Sequence, residues 1–464
     1  MLNAHGLTYY PPAKSSPLWP PLELDTGDAR FVLLSGRSGS GKSTFLRILC
    51  SLLPGFRGGR LEGRIDILGR LVPHHPDGRV GLLFQNTDAM LHSPRVADEL
   101  TARAHAARAR DTGRLRHGWL TELIGQLELG PLLDRKIVEL SGGQKQRVAF
   151  AAVLAGRPDV VLLDEPTSNL DPQAAAAVVG LASGCADRFN TRFVAAEHRA
   201  EHVVRLVDGA IQLTADGGSS WSGTCGAAPP DVLPEPLDLG SLRATAHASR
   251  CEGGGEPVLR CRRLSCRRSG RLVLRGIDLE LRGGEVVGLT GPNGAGKSSL
   301  LLVLAGGLKP TSESEILWSG QPRRRKGNSV GLLMQNPLHQ LFCDTVRHEV
   351  ALAAENAGHS NLEQRVEELL RVADLSPLAD RVTLSLSYGE QQRTALAGTI
   401  SAGPSVVLLD EPTHGMDTPR LERLIRFVLE ARRDGTAFVV ASHDQELLEA
   451  FCDRVLVLHD GKLD

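Results

Sequence analysis

Three short runs of consecutive apolar residues stand out along the chain: Phe31-Val32-Leu33-Leu34, Val160-Val161-Leu162-Leu163 and Val406-Val407-Leu408-Leu409. Runs of this length without alternation fit strands buried on both faces of a mostly parallel sheet. After the first of them the rhythm changes. From Thr44 to Leu53, residues Phe45, Leu46, Ile48, Leu49, Leu52 and Leu53 recur at helical spacing. Ala-, Arg- and Leu-rich sequence of the same period fills 92–140 and 343–385 and predicts a helical insertion at each place. Strands alternating with helices predict an α/β fold. The pattern breaks at 217–236, which is dense in Gly, Ser, Ala and Pro, and Gly253-Gly254-Gly255 closes the stretch. That composition predicts an irregular, extended tether with a short docked segment around Val232–Leu239. No apolar run approaches the ~20 residues needed to cross a bilayer.

The two sides of the break repeat each other. Gly36-Arg37-Ser38-Gly39-Ser40-Gly41-Lys42-Ser43 returns as Gly291-Pro292-Asn293-Gly294-Ala295-Gly296-Lys297-Ser298. Leu140-Ser141-Gly142-Gly143-Gln144 returns as Leu386-Ser387-Tyr388-Gly389-Glu390, and Leu162-Leu163-Asp164-Glu165-Pro166-Thr167 as Leu408-Leu409-Asp410-Glu411-Pro412-Thr413. Ser141 precedes Asp164 by 23 residues, as Ser387 precedes Asp410. The chain therefore reads as a tandem duplication: a first domain over 1–215, a linker over 216–255 and a second domain over 256–464. Each domain is expected to hold a mostly parallel sheet with helices and a helical subdomain.

Composition narrows the function by exclusion. The 464 residues are too many for one ordinary core. Lys and Arg number 53 against 54 Asp and Glu, and aromatics are 4%. That leaves neither a global basic field nor stacking platforms for nucleic acid, so no nucleic-acid partner is expected. Met1–Lys14 has no basic segment leading into an apolar one, so no signal peptide is read there and the chain is expected to stay in the cytoplasm. The eight cysteines form no C-x-x-C pair and read as free thiols. His74-His75 reads as a polar loop. The basic stretches Arg103, Arg108, Arg110, Arg114, Arg116 and Arg323-Arg324-Arg325-Lys326 read as solvated faces.

The candidate chemistry is that of phosphates. In each glycine-rich loop, Gly36, Ser38, Gly39 and Gly41, or Gly291, Asn293, Gly294 and Gly296, let backbone N–H groups turn inward on phosphate oxygens, ahead of a helix N-terminus. Lys42 and Lys297 are placed to reach the β- and γ-phosphates, and Ser43 and Ser298 to put a hydroxyl on Mg²⁺, with Thr44 and Ser299 next in line. Asp164 and Asp410 end buried strands, where a metal-bound water gives each a reason to be charged. Glu165 and Glu411 follow, suited to orient or deprotonate an attacking water. His198 and His443, at equivalent places after a third apolar run, read as γ-phosphate sensors.

Phosphate loop, LSGGQ-type signature, D-E-P-T and histidine, in that order, resemble the ATP-binding-cassette ATPases, over nearly the whole chain apart from the tether. The resemblance implies ATP and Mg²⁺ as ligands, with Gln85 and Gln335 in the glutamine loop that contacts Mg²⁺. It places Asp171 and Asp417 at the opposing domain and Tyr10 on adenine. The second copy departs at that last position with Cys266-Arg267-Arg268, where an arginine plane could substitute. In this family two domains pair head to tail, here within one chain. That implies one site of Lys42, Asp164 and Glu165 with Ser387, Tyr388, Gly389 and Glu390. The other would join Lys297, Asp410 and Glu411 to Ser141, Gly142, Gly143 and Gln144. Tyr388 stands where a glycine is usual, so the site it serves is expected to hydrolyse more slowly.

The segment Gly331-Leu332-Leu333-Met334-Gln335-Asn336-Pro337-Leu338-His339-Gln340-Leu341-Phe342 looks like the Q-N-P-x-x-Q-L-F of energy-coupling-factor ATPases. Phe84-Gln85-Asn86-Thr87-Asp88-Ala89-Met90-Leu91 keeps part of it, and Thr413-His414-Gly415-Met416-Asp417 resembles their T-x-G-L-D loop. This resemblance implies a peripheral subunit on the cytoplasmic face of the cell membrane, working with a transmembrane coupling protein and a small substrate-binding membrane protein. The cargo would be a vitamin or a cobalt or nickel ion, chosen by the membrane protein. The alternatives are an importer ATPase for peptides or metals and a soluble ribosome-associated twin-cassette ATPase. A Gly/Pro-rich linker and net charge of −1 disfavour the latter. The missing zinc cysteines disfavour a DNA-repair cassette.

Overall fold

A computed structural model of the chain describes all residues except 13–14, 38, 57, 74, 85–89, 111–117, 141, 167–171, 198–202, 215, 225–236, 250–255, 269, 293, 319–320, 323–329, 387, 414–415, 417 and 464. For 108–110, 142–143, 172–175, 177, 321–322 and 388 it describes the backbone alone. The chain divides into two compact units, Met1–Pro236 and Leu237–Asp464.

In the first unit the described elements are β1 (Leu2–Tyr10), β2 (Leu22–Asp25), β3 (Phe31–Ser35), α1 (Lys42–Leu49), β4 (Arg60–Ile67), β5 (Arg70–Leu71), β6 (Val80–Leu83), α2 (Val96–Arg110), α3 (Trp119–Gln126), α4 (Gly142–Ala155), β7 (Val160–Asp164), α5 (Pro172–Phe189), β8 (Arg192–Ala196), β9 (Gly209–Thr214) and β10 (Gly217–Ser222). Six strands form one sheet in the order β10-β9-β3-β8-β7-β6, parallel throughout except at the β9–β10 edge. An antiparallel sheet runs β2-β1-β4-β5. The unbroken apolar runs are explained by the larger sheet, which is covered on both sides. Along β7, Val161 and Leu163 join a core with α2, α3 and α4, while Val160 and Leu162 face the core of α1 and the antiparallel sheet. Each such side chain contributes about 1.5–3 kcal/mol of burial.

The second unit comprises α6 (Leu239–Ala248), β11 (Pro257–Arg268), β12 (Arg271–Arg282), β13 (Val286–Thr290), α7 (Lys297–Ala305), β14 (Glu315–Trp318), β15 (Gln321–Pro322), β16 (Val330–Leu333), α8 (Val346–Ala357), α9 (Leu362–Val372), α10 (Tyr388–Ser401), β17 (Val406–Asp410), α11 (Thr418–Ala431), β18 (Ala437–Ala441), α12 (Gln445–Phe451), β19 (Arg454–His459) and β20 (Lys462–Leu463). Its large sheet, β16-β17-β18-β13-β19-β20, repeats the strand order of the first, and its antiparallel sheet runs β12-β11-β14-β15. The duplication read from the motifs extends to topology.

Two elements lie where composition predicts a tether. The stretch Gly217–Ser222 is a strand, paired antiparallel with β9. Its small residues are explained by close packing: a Cβ added to Gly218 would lie 3.2–3.3 Å from methyls of Leu22, Leu213 and Leu24. Ser220 Oγ also accepts a hydrogen bond from the Asp25 N–H at 2.8 Å. The stretch Leu239–Ala248 is a helix of the second unit, not an extended segment. Asp238 caps it by accepting from the Ser241 N–H at 3.0 Å, and Leu242 and Ala246, four residues apart, are buried in the core with α11 and α12. Leu237 and Leu239 pack on that core too, while 225–236 lie outside the described residues.

Six cysteines, Cys50, Cys185, Cys261, Cys266, Cys343 and Cys452, are free thiols; Cys225 and Cys251 lie outside the described residues. Burial pushes Cys50 up to about 11 and Cys185 and Cys261 to about 12, which makes them unreactive. Arg103 pairs with Glu99 at 3.1 Å. The side chains of Arg108 and Arg110, together with His74, Arg114, Arg116 and 323–326, lie outside what is described. Among the described residues no helix is long and apolar enough to cross a membrane.

Candidate active site

In both units the glycine loop joins the central strand of the large sheet to a helix, β3 to α1 and β13 to α7. Gly41 and Gly296 cap those helices at φ 97° and 111°, in the left-handed region that glycine tolerates. The turn aims the first helical residue back into the loop. Lys42 Nζ donates to the carbonyl of Gly36 at 2.7 Å and of Arg37 at 3.3 Å. Lys297 Nζ donates to Gly291 at 2.6 Å and to Pro292 at 3.4 Å. Both lysines are buried, so their charge is held ready beneath the loop instead of being spent on solvent.

The next residue on each helix meets the end of the neighbouring acidic strand. Ser43 Oγ donates to Asp164 Oδ1 at 3.0 Å, and in the second unit the Ser298 hydroxyl lies near enough to Asp410 to favour its charged form. Burial raises Asp164 above the ordinary carboxylate value, the adjacent Glu165 adds to this, and the Ser43 hydroxyl, Arg47 and Lys42 oppose it. Asp410 is raised by burial and then by Glu411, against the Ser298 hydroxyl and Lys297. A half-buried hydroxyl beside a buried carboxylate is a donor set that suits a small divalent cation.

Glu165 and Glu411 sit one residue on, at φ 51° and 48°. Each N–H still completes the sheet ladder, donating to Ala196 and Ala441 at 2.9 Å. The left-handed turn then sends the carboxylate off the strand axis. In the second unit it meets His443, whose Nδ1 lies 3.0 Å from Glu411 Oε2, with 24% and 13% of the two side chains exposed. The equivalent His198 lies outside the described residues, as do Ser38, Gln85, Ser141, Asp171, Asn293, Ser387 and Asp417.

The remaining expected residues are placed as follows. Gly39 and Gly294 lie in the loops at φ 85°, and Thr44 and Ser299 lie in the first turns of α1 and α7. Gly142, Gly143 and Gln144 open α4, as Gly389 and Glu390 follow Tyr388 at the start of α10. Gln335 is exposed in the turn after β16. The Tyr10 ring carries the Arg60 guanidinium 4.2 Å from its centroid, so one face is already covered. Cys266, its counterpart, is buried, and Arg267 donates to the Gly270 carbonyl at 3.1 Å.

Sequence reasoning passed over two contributors. Trp19, 1% exposed, lies so close to the first loop that a Cβ on Gly41 would sit 2.2 Å from its ring. Gln146 and Gln392 donate from α4 and α10 to the carbonyls of Pro166 and Pro412, tying each signature helix to its acidic loop. Their identical spacing from Ser141 and Ser387 was the available signal.

These sites define a nucleotide-hydrolysing cassette present twice. A family model described as ABC transporter matches residues 21–168 and 274–414, and the chain belongs to that family. It is an ATPase of the kind that hydrolyses ATP to drive transport. A putative ABC transporter ATP-binding protein of Streptomyces avermitilis is 34% identical, over 94% of this chain and 88% of its own length. A Bacillus subtilis protein named putative HMP/thiamine import ATP-binding protein YkoD is 28% identical over 100% of this chain and 90% of its own. Among solved structures, RNase-L inhibitor matches with a TM-score of 0.62 at 23% identity, over 98% of this chain and 89% of that one, a likeness of fold alone.

The raised Asp410 carries a pH dependence. Because its folded value lies above the ordinary 3.8, its contribution to stability is complete below 3.8 and is lost as pH rises through the folded value. Without nucleotide, Asp410→Asn is expected to melt higher than the parent at neutral pH, by roughly 2–4 °C. The gap should close as pH falls toward the ordinary carboxylate value. Calorimetric melts across pH check this, and a variant that melts lower at neutral pH contradicts it.

Proposed function

We propose that the chain is the ATP-hydrolysing subunit of an energy-coupling-factor type importer, peripheral on the cytoplasmic face of the membrane and carrying a vitamin or a cobalt or nickel ion. Its membrane-spanning partners are a coupling protein and a small substrate-binding protein. The observation that carries this reading is the architecture of the 334–342 segment. Asn336 accepts from the Leu338 N–H at 3.1 Å and caps a single 3-10 turn, Pro337–His339. Gln340 accepts from the Met334 N–H at 2.6 Å and donates to the Leu332 carbonyl, so the loop is clasped to the end of β16. Asn, Pro and the second Gln of the motif are thus explained as one built turn, which leaves Leu338 and Phe342 exposed (46% and 78%). The import function in the name of the Bacillus subtilis relative supports the same direction.

In this reading Lys42 and Lys297 bind the β- and γ-phosphates, and Ser43 with Asp164, and Ser298 with Asp410, hold Mg²⁺. When bound, Mg²⁺ neutralises charge on the phosphate oxygens. Glu165 and Glu411 orient the attacking water and accept its proton, and His443 fixes the Glu411 carboxylate. Tyr10 stacks on adenine through the face that Arg60 leaves open.

Gln340→Ala is expected to destabilise the second unit by only about 1–2 kcal/mol, the loss of one clasp. Release from the membrane partner should be much larger, read by co-purification. A variant that retains its partner fully removes the loop from the interface. The broader test is affinity purification of the intact chain from native membranes and from the soluble fraction. Recovery of a small polytopic coupling protein with a substrate-binding membrane protein is the expected result. Recovery with ribosomes and no membrane protein overturns the importer.

A further inference from the structure

The antiparallel sheet of the second unit carries a local charge that the net charge of −1 conceals. Between Pro257 and Arg282, the span of β11 and β12, stand eight arginines against Asp278 and Glu280. The matching strands of the first unit, β1 and β2, hold neither lysine nor arginine. Part of the charge is balanced, since Arg260 and Arg282 share Glu280 at 2.6 and 2.9 Å. The other six, Arg262, Arg263, Arg267, Arg268, Arg271 and Arg275, are exposed. None of them enters an ion pair among the described residues. Exposed acids border the group without cancelling it. Asp278 accepts from the Arg263 N–H at 2.8 Å, Glu315 stands across from Arg262, with Glu313 nearby, and Asp460 faces His459 at 3.7 Å. Lys309, exposed, adds to the positive side; its carbonyl accepts from Cys266 Sγ at 3.5 Å.

The arrangement puts the charge outward. Leu264 and Cys266 of β11, and Leu274 and Ile277 of β12, turn into the core, which leaves the arginines to the opposite face and the tip of the ribbon. At the last rung Arg268 stands opposite Arg271, and on the rung before it Arg267 stands opposite Leu272. Like charges directly opposed weaken a strand pair. β12 is an edge strand, and one or two charges of either sign suffice to guard such an edge, so six of one sign ask for a further reason. Leu272 is 36% exposed among these cations.

We propose that this face of the β11–β12 ribbon lies against the anionic headgroups of a phospholipid bilayer. Guanidinium groups match phosphate oxygens in shape and charge, and a cluster of four to eight basic residues is the size that holds anionic lipid. Leu272 then enters the boundary between headgroups and acyl chains while its neighbours stay with the phosphates. Nucleic acid fits less well, because residues 257–282 contain no aromatic side chain on which a base could stack. The contact goes beyond the importer reading, which attaches the chain through membrane proteins. Lipid alone is enough here, so the two fail separately.

The test is cosedimentation of the full chain with protein-free vesicles of phosphatidylcholine containing roughly one-third phosphatidylglycerol, at about physiological salt. The parent is expected to bind these vesicles, to ignore phosphatidylcholine alone, and to be released as salt rises. The triple variant Arg263→Gln/Arg271→Gln/Arg275→Gln should bind roughly 10²-fold more weakly. Its melting temperature should match the parent's, because the three side chains have no partners to lose. Leu272→Ser should weaken binding roughly fivefold with the charge untouched. Equal binding to both kinds of vesicle, binding to neither, or full binding by the triple variant overturns the proposal. Tighter binding to random-sequence duplex DNA than to the anionic vesicles, at the same salt, overturns it in favour of nucleic acid.

Discussion

Replacing both Glu165 and Glu411 by Gln is expected to lower steady-state ATPase by roughly 10²–10⁴-fold while ATP binding stays within a few-fold of the parent. The substitution keeps the shape of the side chain and removes its ability to take a proton. The structural ground is clearest at Glu411, which leaves β17 through a left-handed turn and meets His443 Nδ1 at 3.0 Å. A carboxylate fixed in this way has little reorganisation left to perform when water attacks. Of the single variants, Glu411→Gln should remove more of the rate than Glu165→Gln, following the expectation that the Tyr388 signature slows the site it serves. Phosphate release at saturating ATP, with equilibrium nucleotide binding alongside, checks both statements. Weakened binding with unchanged turnover would make these residues ligands and not bases, and equal single losses would remove the asymmetry.

Gly291→Ala should have the largest effect on the second unit's integrity. Gly291 has φ 144°, and an added Cβ would lie 2.1 Å from the Leu458 carbonyl oxygen. That oxygen belongs to the backbone of β19, the parallel neighbour of β13, so no side-chain rotation relieves the clash. Either the strands part or the loop moves, and the Gly291 carbonyl that accepts from Lys297 at 2.6 Å moves with it. A loss of about 3–5 kcal/mol is expected, together with loss of nucleotide binding by this unit. Gly294→Ala provides the contrast. It has φ 85° and nothing within 4 Å of its added Cβ, so about 1 kcal/mol of backbone strain is all it should cost. Thermal unfolding and a fluorescent nucleotide distinguish the two. Equal effects would show that the clash is relieved by small shifts.

The parts of this molecule that were legible in advance are those whose residue types answer to local physics. A buried parallel strand must be apolar throughout, and Val160–Leu163 and Val406–Leu409 are. A loop with left-handed turns needs glycine at Gly41 and Gly296, and the repeat supplied a second copy against which each motif could be checked. What escaped notice depends on distant partners. Gly217–Ser222 has no apolar alternation, and only the free edge of β9 and the nearby leucines make it a strand. The helix Leu239–Ala248 has just two buried anchors, Leu242 and Ala246, too few to register as a periodicity.

The docked helix α6 also decides where the polypeptide can be cut. Its Leu242 and Ala246 belong to the same core as Leu447 and Leu448 of α12. A gene fragment opened at Glu256, where the repeat begins by motif alignment, would strip that cover and bare an apolar face on α11 and α12. One opened at Leu237 keeps the face closed, so the start codon for producing the second cassette by itself belongs about twenty residues upstream of where homology alone would put it.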